Sequence, residues 1–178
     1  VNMTGGSATE IDCFDESTLN VSVGQIGNLR ANEQSTVNIF GGTLNLMSSY
    51  GTANINLLGN AAIGSMGAYR TSVFNMYDGT IVGLWAEENS TLNLYGGAIT
   101  DLLVARVSTT VNVFGYNLAK TSTGGTYGDG QVTGFWQNDL PFTINLAGSG
   151  TYSRVNLIPE PATLLLLCAG PFLLKRKP

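Results

Sequence analysis

Catalysis and metal binding draw on a short list of side chains, and this chain of 178 residues is sparing with them. It contains no histidine, which removes the commonest general base and the commonest transition-metal ligand. Its two cysteines, Cys13 and Cys168, are too few for a zinc site and read as unpaired, small apolar side chains. No metal and no cofactor are expected. The 12 acidic residues are dispersed along the chain, with Asp78 and Asp101 at unrelated places in the repeat described below and Glu88 set between Arg70 and Arg106. A glycosidase needs two carboxylates about 5 to 9.5 Å apart, and a lyase needs Lys or Arg beside Ca²⁺; neither grouping is evident. Recognition is the chemistry that remains. Phe40, Tyr77, Tyr95 and Phe114 each stand two residues after an asparagine, where exposed rings would stack on sugars or on one another and shield a sheet edge.

A repeat must position these rings. Thr36 to Leu44, Thr-Val-Asn-Ile-Phe-Gly-Gly-Thr-Leu, returns as Ser90 to Ile99 and Asn75 to Ile81, and in worn form elsewhere. Aligning the apolar residue after the glycines gives Ala8, Ile26, Leu44, Ile63, Ile81, Ile99 and Leu118, at spacings of 18 or 19. A second apolar column follows at Ile11, Leu29, Met47, Met66, Leu84 and Leu102, and a small-residue column at Cys13, Ala31, Ser49, Ala68, Ala86 and Val104. Within Thr-Val-Asn-Ile-Phe the alternation has period 2, so Val37 and Ile39 share one strand face and Asn38 and Phe40 the other. One such unit cannot bury its inner face alone, but stacked copies cover one another. The columns predict an all-β parallel solenoid of six to seven coils over residues 1–118, each coil rising about 4.8 Å. Parallel crossovers favour the right hand, although coils of 18 residues also suit left-handed hexapeptide helices. An antiparallel sandwich would not hold columns at a constant spacing.

The columns also assign neighbours. Arg70, Glu88 and Arg106 fall seven residues after their register positions, which predicts a cation–anion–cation ladder on consecutive coils. Asn2, Asn20, Asn38, Asn54, Asn75, Asn93 and Asn112 form a column that reads as stacked amides bonded to their copies, with carbohydrate contact as the alternative. At the ring position Ser22 and Asn56 are expected to interrupt the aromatic strip.

Charged residues make up 11% of the chain, less than half the usual share of about 25%. Leaving out Lys175, Arg176, Lys177 and Glu160 reduces the 8 basic and 12 acidic residues to 5 and 11, a body of about −6. That balance argues against a nucleic-acid partner. The chain opens in mid-repeat at Val1, which reads as a fragment of a precursor expected to carry an export signal.

After Leu118 the register is lost. Gly124 to Gly130 is similar to the calcium-binding Gly-Gly-x-Gly-x-Asp nonapeptide, but a single imperfect copy reads as a turn. Gln131 to Trp136 and Phe142 to Leu146 are strand-like runs around Gln137 to Pro141, a hairpin by composition, and Thr151 to Leu157 supplies a third run. A β-rich cap is thus expected over 119–157, closing a solenoid end that would otherwise expose unpaired edges, with Phe135 and Trp136 sealing the core.

The final segment, 158–178, differs in kind. Pro159-Glu160-Pro161 stops the preceding strand, Ala162 to Leu174 is an uncharged run of 13 residues, and Lys175, Arg176 and Lys177 form a basic end. As a helix that run rises only about 20 Å, short of a hydrocarbon core of about 30 Å. This order of parts resembles the PEP-CTERM sorting signal of exported proteins of Gram-negative bacteria. The resemblance implies export, recognition near the proline motif by an exosortase-like membrane transpeptidase, transient anchoring in the inner membrane through a short apolar helix, and delivery to the cell surface or an exopolysaccharide matrix. A Gram-positive sortase signal has a similar plan but needs a Thr-Gly pair that Ile158 to Ala162 lacks. The expectation is a non-enzymatic structural or adhesive surface protein of a biofilm or extracellular matrix. The alternatives are a carbohydrate-binding module and a β-helical polysaccharide lyase or glycosidase.

Overall fold

The computed structural model describes residues 1–159. Of the expected sorting motif only Pro159 falls within it; Glu160, Pro161, the apolar helix and the basic end Lys175, Arg176 and Lys177 lie outside the described residues. The strands are β1 (Asn2–Cys13), β2 (Thr18–Ala31), β3 (Thr36–Ile39), β4 (Thr43–Ser49), β5 (Asn54–Leu57), β6 (Ala62–Ala68), β7 (Val73–Met76), β8 (Thr80–Ala86), β9 (Thr91–Leu94), β10 (Ala98–Ala105), β11 (Thr110–Thr121), β12 (Gln131–Phe135) and β13 (Pro141–Asn145). A single helical turn, α1 (Thr151–Arg154), then precedes β14 (Val155–Pro159).

These strands wind into a parallel β-solenoid of about six turns. Each middle coil is a four-residue strand, a glycine corner, a seven- or eight-residue strand and a β-turn. Strands β3, β5, β7 and β9 stack on one face between β2 and β11, while β4, β6, β8 and β10 stack on the other; β2 is long enough to belong to both. Ala8, Ile26, Leu44, Ile63, Ile81 and Ile99 are partners from strand to strand, as the spacing predicts. Opposite them Val37, Ile55, Phe74, Leu92 and Val111 fill the first face's inner column, all fully buried. At the corner the coils approach so closely that a Cβ on Gly96 would lie 2.2 Å from the Tyr77 carbonyl oxygen, which explains the glycine there.

Several column assignments need correction. β10 holds an irregularity between Ile99 and Leu102, so Leu103 and Ala105, not Leu102 and Val104, pair with Leu84 and Ala86. The same slip carries Arg106 beside Glu87, with the guanidinium 2.8 Å from the carboxylate, so the expected Arg70–Glu88–Arg106 ladder does not form. Among the described residues the remaining ion pairs join Arg30 to Glu10 and Asp12. Asp15, Glu33, Gly51, Arg70 and Glu88 do share a column, for a backbone reason: each is the first central residue of a β-turn and has φ between 53° and 68°. Leu118 leaves its column because β11 continues past the corner and pairs antiparallel with β12.

The hairpin cap exists, with β12 and β13 antiparallel, but its main task is to satisfy the open edge of β10. Trp136, buried and stacked on Phe142, donates through Nε1 to the Gly97 carbonyl at 3.0 Å. The Ala147 amide bonds the Leu103 carbonyl at 2.9 Å. Phe135 stacks on Tyr116 at the half-buried outer side instead of closing the core. Thr151, expected in a strand, opens α1 and is fully buried. Its Oγ1 lies 3.1 Å from the Ala105 amide and 3.2 and 2.7 Å from the carbonyl oxygens of Ala105 and Ala147. The third run then rejoins the first face as β14, parallel to β11 from Val155 to Pro159.

Replacing Thr151 by valine keeps its shape and strands the Ala105 amide. Chemical denaturation should show a loss of about 1–3 kcal/mol, whereas Ser153→Ala, at an exposed site beside it, should change little.

Candidate recognition face

The outward side of the first face carries three columns set by strand alternation. Nearest the β-turns stand Thr18, Thr36, Asn54, Val73, Thr91 and Thr110. Next comes the asparagine column, and beyond it, before the glycine corner, the column of rings. None of these positions is charged.

The asparagines form a continuous ladder. Each Nδ2 donates to the Oδ1 of the asparagine one coil nearer the N terminus, from Asn20 to Asn2 through to Asn112 to Asn93, at 2.8–2.9 Å. Asn156 extends it across β14 at 3.1 Å. The member in β5 is Asn56, not Asn54: Asn56 is the register partner of Asn38 and Asn75. Asn54 belongs to the threonine column and accepts a second bond from Asn75 at 3.1 Å. An amide carries two N–H donors and a carbonyl with two lone pairs, so an interior asparagine that spends one of each on the ladder retains hydrogen-bonding capacity for a ligand or water.

That reassignment changes the ring column. Two residues after Asn56 stands Leu58, so the strip is not interrupted in that coil, and Ile158, the partner of Phe114, ends it. The row from Phe40 through Leu58, Tyr77, Tyr95 and Phe114 to Ile158 is continuous. Phe40 and Tyr77 are each 47% exposed and Leu58 38%. Tyr77 stacks on Tyr95 at 4.8 Å between ring centroids, and Tyr95 on Phe114 at 4.3 Å, with the planes within 16°. Because the rings cover one another's faces, the ridge presents their edges outward. A flat sugar cannot lie face to face on an inner ring without prising the stack apart.

Four carboxylates are engaged at separate places. Asp78 accepts the Gly79 amide at 2.7 Å, Asp139 the Tyr116 hydroxyl at 2.5 Å, Asp129 the Gly148 amide at 2.8 Å, and Asp101 the Tyr127 hydroxyl. The carboxylate bonds raise the Tyr116 and Tyr127 phenols above their ordinary value, and burial raises Cys13 and Tyr69. Cys13 is a buried free thiol. Asp129 thus anchors the Gly124 to Gly130 loop to Gly148. Among the described residues no three Cys, Asp or Glu side chains are grouped to hold a metal, and no helix is long and apolar enough to cross a membrane.

The pattern could have identified the members that the columns missed. Asn56-Leu57-Leu58-Gly59 aligns with Asn38-Ile39-Phe40-Gly41, and Val155-Asn156-Leu157-Ile158 copies Val111-Asn112-Val113-Phe114. Comparison with known proteins finds no matching family model, no matching curated protein and no matching solved structure.

The ladder's direction makes a test. In Asn93→Asp the carboxylate still accepts from Asn112 but cannot donate to Asn75, and it sets a charge against the Asn75 oxygen. The variant's Asp should therefore have a folded-state pKa raised above its unfolded value of about 3.9. Its deficit relative to the parent should be about 1–3 kcal/mol at pH 7 and should shrink below about pH 4, where a protonated carboxyl can donate. Urea midpoints of both proteins at pH 7 and pH 3.5 check this; a deficit independent of pH would refute the directed ladder.

Proposed function

We propose that this chain is a non-enzymatic structural or adhesive protein, exported from a Gram-negative bacterium and sorted through its C terminus to the cell surface or an extracellular matrix. The observation that carries the reading is the order of parts at the terminus: Pro159-Glu160-Pro161, then Ala162 to Leu174, then Lys175-Arg176-Lys177. In that reading an exosortase-like membrane transpeptidase acts near the proline motif, and the membrane holds the chain only until it does. The body supports it. A rod with several carboxylates engaged in hydrogen bonds and ion pairs, and with one regular face whose outward columns are uncharged, suits a passive matrix component. Strand β14 brings the chain to Pro159, which is exposed and pairs with Gly115 of β11 in the last coil of the rod.

The test is processing in a host that carries an exosortase. The parent chain, supplied with an export signal, should lose its basic end by mass spectrometry and leave the membrane fraction; Pro159→Ala/Glu160→Ala/Pro161→Ala should keep an intact C terminus and stay membrane-bound. Intact parent protein in the cytosol, or equal trimming of the triple variant, would overturn the reading.

A further inference from the structure

The uncharged face has a ligand chemistry of its own, and the geometry points to a neutral polysaccharide bound along the rod between the asparagine ladder and the ring ridge. This deepens the adhesive reading and rests on it, naming the partner that an adhesive matrix protein of this kind would hold.

The argument begins with charge. The body's net charge of about −6 lies on turns, loops and the opposite face, while the outward positions of seven successive strands of the first face are uncharged. A polyanion would be repelled by the body as a whole, and a polycation would be drawn to the acidic turns at Asp15, Glu16 and Glu33 instead of this surface. A neutral polymer meets neither term. Hydrogen bonding comes next. A hydroxyl both donates and accepts, as does the part of an interior amide that the ladder leaves unused, except at Asn75, whose Nδ2 donates to both Asn56 and Asn54. Those amides recur at every strand, about every 4.8 Å over roughly 29 Å, so a chain of hydroxyl-bearing units can be met repeatedly along the axis. The third term is apolar contact. The stacked rings offer edges and not faces, which excludes face-on stacking but leaves a ridge of ring edges with the Leu58 and Ile158 side chains for the C–H surface of the sugar. Many weak, repeated contacts of this kind act as a multivalent set, in which each successive contact is intramolecular.

Purified full-length chain would be run in affinity gels containing a soluble β-linked glucan, a mannan or a polygalacturonate. Retardation by at least one neutral polymer and none by the polyuronate is expected. Thr91→Glu/Thr110→Glu places two charges on the face and should weaken that retardation at least tenfold. Thr80→Glu/Thr100→Glu, exposed on the opposite face, should leave it unchanged. Circular dichroism melts confirm that both variants are folded, and should Thr91→Glu/Thr110→Glu unfold, Tyr77→Ser at a half-exposed ring replaces it. Retardation by neither neutral polymer, retardation by polygalacturonate, or equal losses in the two variants would overturn the proposal. So would a charge-sensitive self-association of the face with no glycan effect, which would assign it to a second copy of the chain. Because the gel assay uses purified protein, its failure is separate from a failure of sorting.

Discussion

Parallel pairing of each coil with the next, at a register of 18 or 19 residues, is the constraint on which the rest of this structure depends. It places every side chain against its counterpart, and the counterpart is usually of the same kind. A residue therefore has to be compatible with itself at about 4.8 Å. Asparagine satisfies this by offering a donor to one neighbour and an acceptor to the other, and aromatic rings satisfy it by stacking. Charges of one sign do not, and in two places the register supplies an opposite partner, Glu87 for Arg106 and Asp12 for Arg30. Asp15 and Glu33 share a column only at exposed β-turns. The low charge content of the chain follows from this rule, since a repeat that stacks on itself has few places for an ion.

The same constraint explains the strain the fold tolerates. Asp15, Glu33, Arg70 and Glu88 hold positive φ at the β-turn without being glycine, a conformation that costs an L-residue roughly 1–2 kcal/mol. The turn is imposed from both sides by coils that share it, so a local preference yields to the column. It also explains the cap. A solenoid has two open edges, and the last strand of the second face, β10, has no further coil to pair with. The side chains of Trp136, Asn145 and Thr151 and the Ala147 amide supply the bonds that a seventh coil would have supplied.

Most of the fold was legible in sequence because a period is a long-range signal written in short-range terms. Ile26, Leu44, Ile63, Ile81 and Ile99 announce one axis without any knowledge of contacts. What escaped were the places where the period slips. One residue of irregularity in β10 moved Leu103 and Ala105 into columns that a fixed count gives to Leu102 and Val104. The duplicated asparagine of Asn54-Ile55-Asn56 left two registers open, and only the pairing of β5 with β3 and β7 selects Asn56. The role of Thr151 was not readable at all, since its partner Ala105 lies 46 residues away outside the repeat. The rings Phe40, Tyr77, Tyr95 and Phe114 were placed together correctly, but the continuity of their row depended on Leu58 and therefore on the asparagine assignment.

Distances along the axis test the stacking most directly. With both native cysteines replaced by serine, nitroxides on Thr18→Cys and Thr110→Cys sit five strand spacings apart, and moving the first label to Thr36→Cys removes one. Pulsed electron resonance should give backbone separations of roughly 24 and 19 Å, allowing for equal label reach. A separation that does not shorten by about one strand spacing, or that grows, would contradict the coil-on-coil account.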